Sequence, residues 1–141
     1  MMEKRLTVRM VDLWELTAKG EPPPEFLKFN TGPIQDIWQQ CVTLAIEPSG
    51  NGKITHLGKQ LIPFFGGMKE GSHINAQMKV FPGARLIKHV PDILVSYATL
   101  TDEGQFVGTN NKVVKYRSCL LPFGTKDGIT HVILGVSWRE F

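Results

Sequence analysis

The chain holds only two cysteines, Cys41 and Cys119, and neither stands in a CxxC or in any Cys/His ligand spacing. The expected role of both is that of small core or near-core residues; a redox pair is the sharper alternative, and the spacing does not recommend it. No apolar run approaches the ~20 residues that span a bilayer. The opening MMEKRLTVRMVDLW lacks the continuous apolar stretch and the small-residue cleavage site of a secretory signal. The expectation is a cytoplasmic protein without membrane association. Charge of one sign is also scarce. Lys and Arg number 16 against 13 Asp and Glu, and they fall singly, without a basic stripe or interleaved aromatics. That speaks against nucleic acid as a partner and for a mixed, solvated surface. His56, His73, His89 and His131 are widely spaced and form no HExxH-type ligand set, so no metal site is expected. The acids are too scattered for a carboxylate pair. "GNGK" lacks the longer glycine-rich segment of a phosphate-binding loop.

What is present fits one globular domain. The 141 residues suit a single core, and 42% apolar with 21% charged residues is the balance of a folded chain. Residues 3–19 predict a helix stopped by Gly20, with Leu6, Met10, Leu13, Trp14 and Thr17 on one face. RLTVRM also alternates like a strand, but DLWELTAKG tips the balance to helix. The prolines at 22–24 force an extended connector, so residues 1–24 read as helix plus connector and 25–141 as the main domain. A short helical turn is expected near Pro33. Strands are expected over residues 41–47 and 53–57, joined by "EPSGNG", then near 105–108, then over 113–122 and 129–138, joined by "TKDG". Between them, residues 59–100 are broken by Gly and Pro into short helical pieces.

Period-2 geometry sorts the last hairpin. Val114, Tyr116, Ser118 and Leu120 share a face with Val132, Leu134, Val136 and Trp138, expected to meet the helical middle. Lys115, Arg117, Cys119 and Leu121 lie opposite, with Ile129, His131, Ile133 and Gly135. This second face needs a cover, and the first helix, through Leu13 and Trp14, is the candidate, packing on the sheet or across a two-fold interface. Cys119 and His131 could be neighbours across strands, but no cleft or orienting third group is evident, so no catalytic residues are assigned.

The order of elements resembles the PAS fold, and three segments resemble the small bacterial, alphaproteobacterial-type PAS-like family: "DLWELTAKGEPPP", "LGKQLIPFFGG" and "YRSCLLPFGTKDGITHVILGVSW". The resemblance implies an α+β domain with a five-stranded antiparallel sheet, helices on one face and an N-terminal helix. It implies a sensory or interaction role in signal transduction. The chain departs from the pattern in showing no kinase, cyclase or DNA-binding segment, which leaves the output open; the expected action is in trans, through a protein partner or a homodimer. It names no cofactor. In such a fold the inner sheet face and the helices enclose a pocket, here offering Tyr116, Ser118 and Leu120, with His89 and Tyr97 from the helices. A small, largely apolar ligand would suit it. A ligand carrier or small enzyme with a cavity between sheet and helices is the alternative, and a structural adaptor with a filled core is the third reading.

Overall fold

The computed structural model describes residues 5–21, 23–49, 51–65, 67–74, 89–108 and 110–141. Helix α1, Leu6–Ala18, buries a line spaced by four: Leu6, Met10, Trp14 and Ala18. Leu13 and Thr17, expected on the same face, are half-buried at its margin, and the Thr17 hydroxyl donates back to the Leu13 carbonyl at 2.8 Å. The helix ends where Lys19 and Gly20 turn left-handed, with φ of 51° and 79°. The chain then crosses the sheet as two 3-10 stretches, Phe26–Lys28 and Gly32–Gln40, the second opening beside Pro33 as expected.

The sheet is antiparallel. It contains β1 (Cys41–Ile46), β2 (Gly52–Leu57), β3 (His73–Ile74), β4 (Leu100–Val107), β5 (Val113–Thr125) and β6 (Gly128–Glu140), in the order β3-β2-β1-β6-β5-β4. Six strands therefore stand where five were expected. The additional β3 has two residues and exists through long-range pairing with Gly52 and Lys53, which no local pattern announces. Strand β4 is twice the expected length. Its sequence LTDEGQFV is poor in strand formers, and its order comes from pairing with β5 along its whole length. Helix α2, Val90–Ser96, and a 3-10 stretch, Lys59–Phe64, supply described helical pieces of the middle segment. The helical pieces expected across residues 75–88 lie outside the described residues.

Each sheet face has its own core. The inner face joins Val42, Leu44, Tyr116, Leu120, Val132, Leu134 and Val136 with Leu61 and Phe65 from the 3-10 stretch and Val90 and Ile93 from α2. The back face joins Cys41, Cys119, Leu121, Phe123 and Ile133 with α1 and the 3-10 strap. Parity breaks at two bulges: one opposite Thr43 and Leu44, which leaves Thr55 as the extra residue of β2 and brings both Ile54 and Leu57 to the inner cluster, and one in β6. The second pairs Phe123 with His131 and Gly124 with Ile129, so Thr130 is the extra residue. It turns Ile129, expected on the back, to the inner cluster.

Three polar ties fix the strap and α1. β4 pairs with β5 only over Val113 to Leu120, so the Pro122 carbonyl lies past the end of that ladder; the Trp14 indole N–H donates to it at 2.7 Å. The Gly124 amide donates to the Pro24 carbonyl at 2.9 Å. Arg9 clamps Asp36 with two bonds of 2.8 and 2.7 Å, which holds the Asp36 carboxyl below its usual range.

Candidate functional site

Strand β5 carries the predicted inner-face trio. Tyr116, Ser118 and Leu120 alternate toward the inner cluster, and all three are buried. Their partners in register are Gly104 and Trp138, Asp102 and Val136, and Leu100 and Leu134. The Tyr116 ring lies 6.0 Å from Phe106, and Phe64 meets Trp138 edge-on at 5.0 Å, so one end of this face is aromatic and the other aliphatic. Between them stands Ser118, 0% exposed, with an Oγ that has no hydrogen-bond partner. Among the described residues Thr43 shares that condition, on the back face. A buried hydroxyl left unpaired costs about 1–3 kcal/mol, so Ser118 is the polar point of an apolar surface.

His89 and Tyr97 are placed at the two ends of α2 rather than on its buried side. His89 precedes the helix, is exposed, and bonds Asp92 through Nδ1 at 3.0 Å. Tyr97 follows it in a left-handed conformation with φ 58° and is half-buried. The contacts of α2 with the inner core come from Val90 and Ile93. Of the expected interface pair, Trp14 is spent on its own sheet through Pro122, and Leu13 packs half-buried at the edge of the back core.

The cysteines sit on the back face around Gly135. Cys41 and Cys119 pair with Gly135 from opposite sides, and the Met10 sulfur lies 3.8 Å from each thiol. Two strand spacings put their Cα atoms roughly 10 Å apart, beyond the ~7 Å that a disulfide can bridge. Burial raises both thiol pKa values, that of Cys119 to about 12, so neither is a ready thiolate. His131 pairs with Phe123, four residues along from the Cys119–Gly135 pair, or about 13 Å away. It stacks on Phe26 at 4.2 Å, and burial lowers its pKa. The two residues do not form a nucleophile–base pair.

Sequence reasoning missed a groove on this same back face, beyond the N-terminal end of α1. It has a volume of about 840 Å³, and Arg5, Arg9, Lys115, Arg117 and Arg139 line it. The signal was present: Lys115 and Arg117 are two apart on a strand, and Arg139 shares their parity on the next. Reading charges one at a time along the chain hid a grouping that the sheet creates. Among the described residues no cluster of three or more His, Cys, Asp or Glu could hold a metal ion, and no helix is long and apolar enough to cross a membrane. No family model, no curated protein and no solved structure matches the chain.

Proposed function

We propose that the chain is a PAS-like sensory or protein-interaction module, bacterial and cytoplasmic, that binds rather than catalyses and acts in trans on a signalling partner, as a homodimer or with another protein. The observation that carries this reading is the order of elements around one antiparallel sheet: two strands, a segment with short helices, then three strands, with β3 as a two-residue addition. The second reading, a ligand carrier or small enzyme using the inner face, is favoured by the Ser118 hydroxyl, buried without a partner in an apolar surface. Both readings give the inner face a small, largely apolar ligand with one polar group.

A thermal-shift screen against metabolites, followed by light scattering, tests the proposal. A ligand that binds only the folded chain raises its melting temperature. Ser118→Ala, which removes the hydroxyl and little volume, should leave the free protein as stable or more stable and shrink that shift. For a sensor, the same ligand should change the state of association; for a carrier, it should not. If no compound raises the melting temperature, the inner face is a filled core and the adaptor reading stands.

A further inference from the structure

The end of the back face that α1 leaves open has a charge arrangement unlike a mixed solvated surface. Lys115 and Arg139 are register partners on β5 and β6, and both project from the back face. Like charges directly opposite across an antiparallel pair destabilise it. Arg117 is next on the same face of β5, and Arg5 stands at the start of α1 on the groove wall. Two of the lining cations are matched: Arg9 by Asp36 at 2.7 Å and Arg117 by Glu103 at 3.3 Å. Arg5, Lys115 and Arg139 have no ion-pair partner among the described residues; Lys115 instead lies 4.8 Å over the Phe141 ring. The fold therefore brings to one concave site three cations that are uncompensated among the described residues, and holds two of them side by side.

We propose that this groove binds a small phosphorylated molecule, its phosphate seated among Arg5, Lys115 and Arg139. A phosphate monoester carries nearly two negative charges at neutral pH, which suits a groove lined by three such cations better than a single carboxylate does. Guanidinium groups present paired N–H donors that match phosphate oxygens, and an ammonium adds a point charge. The volume, about 840 Å³, lies within the range of small-molecule sites. Leu6, Ile37 and Phe141 supply apolar wall for the rest of the molecule. An anion at this position also relieves the Lys115–Arg139 repulsion, so binding and stability are coupled here. The site is on the opposite side of the sheet from Ser118 and does not depend on the inner-face proposal.

The test is isothermal titration of the full chain with AMP, glucose 6-phosphate and inorganic phosphate, at low and at physiological salt. At least one of the three binds with a single site per chain, and Arg139→Gln weakens it at least about tenfold, the loss expected when a charge-assisted hydrogen bond to the phosphate is removed. The free Arg139→Gln protein melts at the same temperature as the parent or higher, because a repulsion has been removed. Lys53→Gln, on an exposed β2 position away from the groove, changes affinity by less than about twofold. Three outcomes overturn the proposal: no binding of any of the three probes, binding that survives Arg139→Gln, or an equal loss in Lys53→Gln. A single-stranded oligonucleotide that binds more tightly than all three probes also overturns it, in favour of a nucleic-acid surface.

Discussion

Gly135→Ala should destabilise the protein by about 1–3 kcal/mol, the usual cost of forcing an extra methyl into a filled core. Gly135 lies on β6 between Cys41 and Cys119, and a Cβ there would collide with the Met10 Sδ and Cε and approach Leu6 Cδ2 at 3.1 Å. Relief is hard to find. Met10 is 0% exposed and has the two thiols at 3.8 Å on either side, and β6 is paired along both edges, so its backbone is pinned. Urea unfolding reads the effect as a lower midpoint at unchanged slope. Met10→Ala alone should cost about 2–5 kcal/mol through lost packing. In that background the alanine at 135 meets only Leu6 Cδ2, so its cost should fall, with a coupling on the order of 0.5–3 kcal/mol between the two sites. A neutral Gly135→Ala, or the same cost with and without Met10, would refute the close approach of α1 to β6 at this point.

Three further outcomes follow from the back face. Trp14→Phe should cost about 1–3 kcal/mol, because it strands the Pro122 carbonyl that the indole satisfies; equal urea midpoints would contradict that bond. Both cysteines are 0% exposed with raised pKa values, so Ellman's reagent should find no fast thiol in the folded chain and two in urea; a fast native thiol would contradict the packing. Burial depresses the His131 pKa, so as pH falls the unfolded chain takes up that proton first. The stability this residue contributes is complete above about pH 6.5 and is lost as pH falls through the folded-state value. His131→Gln should therefore flatten part of the acid-side loss in urea midpoints between pH 7 and 5, and parallel curves for the two proteins would contradict the burial.

The sequence was readable where structure is written locally. Alternation in CVTLAI and in VVKYRSCLL, with turn formers at "PSGNG" and "TKDG", gives β1, β2, β5 and β6 and their faces. The helix that covers the back face was visible from Leu6, Met10 and Trp14. What escaped was set by distant partners. β3 forms only against β2, and β4 is extended by β5 beyond what DEG would support alone. The bulge at Thr130 shifts Ile129 by one register step, which strict alternation cannot foresee. Pro122 suits a strand end or a bulge; it stands just before the bulge at Phe123 and Gly124, and β5, expected to stop at residue 122, runs on to Thr125, with Trp14 taking the Pro122 carbonyl. For the candidate sites, Tyr116, Ser118 and Leu120 were placed together by parity alone. His89 and Tyr97 depended on where α2 begins and ends, which spacing did not show; the basic groove was half written in the i, i+2 spacing of Lys115 and Arg117 and was completed by the pairing of Lys115 with Arg139.

Native mass spectrometry of the purified chain tests the inner-face binding proposal most directly, because it reports retained ligand and state of association together. The prediction is a species heavier than the chain, or than its dimer, by one small molecule per chain, with Ser118→Ala retaining less of it. Bare chain mass in both proteins, unchanged by any compound of the metabolite screen, would contradict the proposal and leave the inner face as core alone.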